Sequence, residues 1–382
     1  MKMSSCTRIL LMIMALVMVI SLVACAPAPV TPTEPSVPTN PTNPTEPTDP
    51  PHTLLPPQTP NRVSYKRITR ADMLGMVMRE LTIKAGLGGE KVVVSQLTDI
   101  HLNFFGEEDL KDPILKETYD RNPPSRPEQT LKTLQNIMKL AAEDSDLITL
   151  TGDIFNFHTQ ANMQTLKEHV FGKYDNILAI LGNHDLRRQD TDCTTEDPMS
   201  QEDLRASVAA NWCNDITYES QIIKDKVMVI GLDNATYQDG KYHFLPEQVP
   251  LLAADLQKAR ENGYVVLLFY HVPVLTGDPS DDEARADGNY SSREKGSFGT
   301  TEGPHGGGDL VGAHSAGADK EIYDLITNNG DIIYGAFCGH MHGDFYTEIH
   351  AKTAAGEEIM IPQYIIESAR NDSGHFLKIT IE

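Results

Sequence analysis

The chain has 382 residues, with 32 Lys and Arg against 54 Asp and Glu and a formal charge of −22. So acidic a surface repels polyanions, and no basic patch of any length interrupts it, which excludes nucleic acid as an expected partner. The length alone allows more than one domain, but residues 1–60 lack the composition to build a core.

Residues 1–24 carry Lys2 and Arg8 ahead of an apolar run over 9–20, then Leu22-Val23-Ala24-Cys25, which together read as a secretory signal peptide. The run is too short for a spanning helix. Its ending resembles the lipobox of bacterial lipoproteins, which implies cleavage after Ala24 and lipidation of Cys25. The protein would then be extracytoplasmic, tethered to the bacterial cell membrane by a lipid anchor. Residues 25–60, almost entirely Pro, Thr, Asn and acidic, favour extended polyproline II and read as a stalk. Cys193 and Cys213 are close enough in sequence either to pair outside the cytoplasm or to stay free, and Cys338 reads as a small core residue.

Residues 61–90 are a lead-in, either a short helix over 71–81 or strands running into the glycines at 86, 88 and 89. The main domain spans 91–382. It opens on a near-continuous apolar strand over 91–97, as expected for a sheet covered on both faces, followed at once by Asp99 and His101. A polar insertion to Pro124 reads as irregular. Ser125-x-x-Glu128 then offers a capping box, with Pro127 in the first turn of a helix that aligns Leu131, Leu134, Ile137, Met138 and Ala141. That helix crosses over to a parallel strand at 147–150, which ends in Gly152-Asp153.

A second crossover helix around 163–170 leads to a strand at 177–181 and the turn Gly182-Asn183-His184-Asp185. Ser200-x-x-Asp203 caps a helix running through Trp212, and a strand fills 228–232. A helix over 246–260, with Leu251, Leu252, Leu256 and Ala259 on one face, precedes the strand at 264–269 that delivers His271. The Gly-rich, acidic insertion at 276–320 has no periodicity. A short helix at 321–326 comes next, then a strand at 332–337 delivering His340 and His342. Antiparallel strands over 345–381, turning at 354–357, complete the chain.

Five strand ends thus offer Asp, Asn or His. Metal ions that favour oxygen and nitrogen take carboxylate, amide and imidazole donors, and a pair of ions sharing one carboxylate needs about seven protein ligands. Asp99, His101, Asp153, Asn183, His271, His340 and His342 supply that set. The series Asp99-x-His101, Gly152-Asp153, Gly182-Asn183-His184-Asp185, His271 and Gly339-His340-x-His342 resembles the calcineurin-like metallophosphoesterase superfamily, over roughly residues 92–346. The resemblance implies an α/β fold, two mixed β-sheets packed as a sandwich flanked by helices, with a two-metal site at the strand carboxyl ends.

It also implies roles. Asp99, His101 and His342 would hold the first metal, Asn183, His271 and His340 the second, and Asp153 would bridge them; the donors suit Mn, Fe or Zn. The reaction would be hydrolysis of a small phosphoric ester by in-line attack of a metal-bridging hydroxide, with catalytic His184 protonating the leaving alkoxide. In several branches of the superfamily the residue three after the bridging Asp is a second Asp that orients this His. Here it is Asn156, so the Asn156 amide carbonyl or the Asp185 carboxylate would have to take that part.

Arg187 and Arg188 either reach a substrate phosphate, alongside Asn183, or lie on solvated surface. A monomer is expected. The competing reading is a catalytically silent metal- or ligand-binding lipoprotein. His184, which metal binding does not require, stands against it.

Overall fold

A computed structural model describes residues 64–67, 76–238, 241–274, 317–370 and 374–382. The signal and stalk segments and most of the 276–320 insertion lie outside these residues. The strands are β1 (Ser64–Arg67), β2 (Val77–Ile83), β3 (Val92–Leu97), β4 (Leu147–Thr151), β5 (Ile177–Ile180), β6 (Tyr218–Ile223), β7 (Val227–Leu232), β8 (Thr236–Gln238), β9 (Lys241–His243), β10 (Val265–Phe269), β11 (Ile333–Cys338), β12 (Phe345–Lys352), β13 (Glu358–Ile365) and β14 (His375–Ile381). One six-stranded sheet runs β1-β2-β14-β3-β4-β5, a second runs β12-β13-β11-β10-β7-β6, and β8-β9 form a separate hairpin. Both large sheets are mixed: β3, β4 and β5 are parallel, as are β2 and β14 and also β7, β10, β11 and β13, while antiparallel pairs form the edges β1-β2, β6-β7 and β12-β13 and the central pair β14-β3.

Period-two alternation sorts the strand residues into layers. In the second sheet Val227, Val229, Val265, Leu267 and Phe269 join Val92, Val94, Leu178 and Ile180 of the first in the core between the sheets. Their neighbours Met228, Ile230, Val266 and Leu268 turn the other way. They pack on helices α5 (Gln248–Asn262) and α6 (Ala318–Thr327) through Leu252, Leu256, Ile322 and Ile326. The outer face of the first sheet is covered by α2 (Pro127–Ala141) and α3 (Gln160–Leu166), with Leu134, Ile137 and Met138 against Ile148 and Leu150. Each such fully buried aliphatic side chain contributes roughly 1.5–3 kcal/mol.

Several local expectations change. The insertion before Pro124 contains helix α1 (Pro113–Arg121); Asp112 caps it by accepting the Ile114 amide, with Pro113 in the first turn and Ile114, Leu115 and Thr118 buried. The capping box at Ser125 does not form, because Arg126 precedes α2 in a left-handed conformation with no side-chain cap. The Ser200 cap does form, accepting the Asp203 amide, although its helix α4 (Gln201–Ala209) stops before Trp212. Leu251 faces solvent, since α5 buries a narrower stripe. Within the lead-in, Val77–Ile83 is a strand in the heart of the first sheet, paired with β14. The chain after 345 is not one antiparallel unit. β13 pairs parallel to β11, and β14 crosses back to the first sheet between β2 and β3.

Candidate metal centre

The parallel strands β3, β4 and β5 of one sheet and β10 and β11 of the other all end at the same edge of the sandwich, so their following residues converge. Backbone bonds lock the junction: the Asp99 amide donates to Gly152 O, the His101 amide to Asp153 O, and the Gly339 amide to His271 O. The turns need left-handed backbone. Among the described residues eight non-glycine positions have positive φ, and five of them are Asp99, His101, Asp153, His340 and His342. Such conformations cost energy and persist only where their surroundings over-determine them, which is typical of binding sites.

The neighbouring glycines serve close approach more than flexibility. A Cβ on Gly182 would stand 2.1 Å from the Asp153 amide nitrogen, and one on Gly339 would stand 1.9 Å from Thr98 Oγ1. Gly152 alone of the three also has positive φ, +82°, and there a Cβ would meet the His271 ring.

Two groups of donors result, Asp99, His101, Asp153 and His342 in one and Asp153, His271 and His340 in the other, and each could hold a metal ion. Asp153 belongs to both. Its Oδ2 lies 3.7 Å from His101 Nε2, and its Oδ1 lies 3.3 Å from His271 Nε2. His342 Nε2 is 3.0 Å from Asp99 Oδ1 and 3.0 Å from His101 Nε2. Asn183 Oδ1 is 3.0 Å from His340 Nδ1, so it joins the second group. All seven sequence-predicted ligands are therefore brought together.

The donor chemistry fits cations. The buried Nε2 of His271 lacks a properly directed hydrogen-bond partner, and two imidazole nitrogens, of His101 and His342, are aimed at one another beside ionised carboxylates. Burial alone would raise Asp99 and Asp153. The facing histidines more than offset it and hold both carboxylates well below their usual range. Burial, reinforced by His184, brings His101 down to about 3, which leaves its lone pair available. His271 runs the other way: burial would lower it, but Asp153 carries it to about 10, so a cation there must displace a proton.

His184 sits beside the centre, its ring 4.6 Å from that of His101 and its Nε2 3.9 Å from Asp153 Oδ2. Its own amide donates to Asp153 Oδ1. Burial lowers it to about 4, against the pull of Asp153 and with the help of Arg187. The ring is oriented by the main-chain oxygen of Asn156, 3.1 Å from Nδ1, and by Arg187 Nη2, 2.6 Å from the same atom. Neither the Asn156 amide nor the Asp185 carboxylate holds it. Asp185 is fully buried and accepts the amides of Phe155 and Gly182, bracing the two strand-end turns. Burial, then the Asp153 charge, pushes it up to about 8.

The two arginines part company. Arg187 is half-buried at the centre, over the Phe157 ring. Arg188 is buried away from it, paired with Asp112 and Asp197, so the solvated reading of it is wrong. Cys193 and Cys213 are free thiols.

Thr98, Tyr242 and Arg79 escaped the sequence reading. Thr98 Oγ1 lies 2.7 Å from Asp99 Oδ2 and 2.8 Å from Thr151 O, with one proton to donate between them, Tyr242 packs edge-on against His340, and Arg79 pairs with Asp344 just past the His342 turn. Thr98 alone carried a local signal, a hydroxyl directly before the strand-end aspartate.

A family model of the calcineurin-like phosphoesterases matches residues 93–344. The chain belongs to the calcineurin-like phosphoesterase family, whose members are metal-dependent hydrolases of phosphoric esters. Similar solved structures include a dimetal phosphatase from Danio rerio, at 12% identity and a TM-score of 0.44 over 72% of this chain and 87% of that one. Another is the calcineurin-like phosphoesterase YfkN from Bacillus subtilis, at 15% identity and a TM-score of 0.34 over 73% of this chain and 81% of that one. No curated protein matches.

Proposed function

We propose that the chain hydrolyses small phosphoric esters at a pair of cations, outside the cytoplasm, tethered through Cys25. The observation that carries the reading is Asp153, one carboxylate shared by two complete donor groups. Asp99, His101 and His342 would hold one cation and Asn183, His271 and His340 the other. When bound, such ions supply Lewis acidity, polarising phosphoryl oxygens and bringing the pKa of water towards neutrality.

The rest falls to this chain's own side chains. His184 Nε2 faces the shared Asp153 and is placed to give a proton to the departing ester oxygen. Its Nδ1 has two competing neighbours. Arg187, always a cation, can only donate to it, whereas Asn156 O can only accept from it. The two contacts demand opposite tautomers. A phosphate that draws Arg187 away would let Nδ1–H bond Asn156 O, and with that neighbouring positive charge gone the imidazole would take a second proton from water at Nε2, the one it gives to the departing oxygen. Arg187 itself suits a phosphate through its planar fork of donors.

The test is turnover of p-nitrophenyl phosphate and bis-p-nitrophenyl phosphate with added Mn²⁺, repeated on Asn183→Ala and His184→Ala. Wild-type protein that holds two metal equivalents yet turns over neither ester would hand the site to the silent binding reading. For the address, radiolabelled fatty acid should enter the wild type and not Cys25→Ala.

A further inference from the structure

The β8-β9 hairpin belongs to neither large sheet, yet its second strand runs directly into the metal centre. Tyr242 lies edge-on to His340, ring centroids 5.3 Å apart at 80°. Phe244, two residues on and facing the same way, lies edge-on to Tyr270, 5.9 Å apart at 85°, and Tyr270 immediately precedes His271. The run Tyr242-His243-Phe244 therefore addresses the two strand ends that carry the histidines of the second donor group. Between the two aromatics, His243 turns to the buried Asp319, whose Oδ2 accepts from His243 Nδ1 at 2.6 Å while its Oδ1 accepts the Phe244 amide at 2.8 Å. Asp319 stands in the first turn of α6, so one carboxylate pins the hairpin to the body of the second sheet.

An imidazole coordinates a cation only in its ring plane, and the ring torsion of histidine is intrinsically broad. Something must set that plane. The neighbours of His340 include Asn183 at Nδ1, the His271 ring at 5.2 Å, Asp153 in the same donor group, and Tyr242. We propose that Tyr242, pinned through the Asp319 clamp on the hairpin, is a positioning residue that fixes the plane of His340 and so sets cation occupancy of the second donor group independently of the first. The proposal rests on the reading that both groups take cations.

The experiment is calorimetric titration of the metal-stripped full chain with Mn²⁺, paired with the visible absorption of the Co²⁺-loaded form. Wild type should take up two equivalents. Tyr242→Leu and Asp319→Ala should each weaken one equivalent about 10- to 100-fold, the usual penalty for losing an outer support of a ligand, and leave the other near its wild-type affinity. Tyr242→Phe, which keeps the ring, should restore the weakened step. A purely structural role would lower thermal stability or weaken both steps alike, and that result overturns the proposal, as does unchanged uptake by Tyr242→Leu. Should wild type itself bind fewer than two equivalents, the two-cation reading fails and the hairpin's role falls with it.

Discussion

The main-chain oxygen of Asn156 lies 3.1 Å from Nδ1 of His184. A carbonyl of the backbone, not a side chain, is the acceptor at this position, so the identity of residue 156 is nearly free. Asn156→Ala should keep kcat on the model diester within about threefold, whereas His184→Ala should lower it by about 10²-fold or more. Equal losses in the two variants, in steady-state assays at saturating Mn²⁺, would show that the Asn156 side chain takes part after all.

Asp153 is common to both donor groups, while His271 belongs to one. Elemental analysis of dialysed protein should find Asp153→Asn depleted of both metal equivalents and His271→Ala of one. Turnover should fall on the order of 10³-fold for Asp153→Asn, as should that of chelator-treated wild type, with Mn²⁺ rescuing only the latter. A one-equivalent loss in Asp153→Asn would refute the shared carboxylate.

Gly339 has no room for a methyl group, since its Cβ would strike Thr98 Oγ1 and Asp99 Oδ2. Gly339→Ala should destabilise the fold by about 1–3 kcal/mol in denaturant titration and weaken metal uptake, because the crowded atoms hold a ligand in place. Gly317, with nothing within 4 Å of its Cβ among the described residues, is the control: Gly317→Ala should show only the cost of its positive φ and no change in metal content.

His158 offers a pH test remote from the ligands. Burial and then the Arg188 charge bring its imidazole down to about 4, against Asp109, and its Nε2 is 3.0 Å from Ser207 Oγ. The unfolded chain, with an ordinary histidine, binds the proton more readily between about pH 6.5 and 4, so stability falls as the pH drops through that window. The contribution is roughly 1–3 kcal/mol. Thermal melts at pH 7 and pH 5 should separate less in His158→Gln than in wild type. Equal separation would remove His158 as a source.

The ligands were legible because each sits within four residues of a strand's carboxyl end, where an apolar run stops at Asp, Gly-Asp, Gly-Asn-His or Gly-His. Their partners were not. Asp319 meets His243 across 76 positions and Arg79 meets Asp344 across 265, and nothing local marks either pair. The return of β14 to the first sheet was hidden for a similar reason: its alternation fits either sheet, and only pairing with Val92–Leu97 and Val77–Ile83 decides. Helix α1 did carry its signal, Asp112-Pro113 before Ile114 and Leu115, but in a stretch too polar to attract notice. Asp185 misled because adjacency to His184 suggested partnership, whereas its carboxylate turns back into the fold.

Left-handed backbone at five of the ligand positions narrows the paths open to drift. Asp and His are among the few residues besides Gly that tolerate this region, and they are also the residues that bind such cations. A mutation to Val or Ile would be rejected by the main chain before its loss of coordination was ever felt. Conformation and chemistry therefore filter the same alphabet at these corners, and one can lapse for a time while the other still preserves the letters.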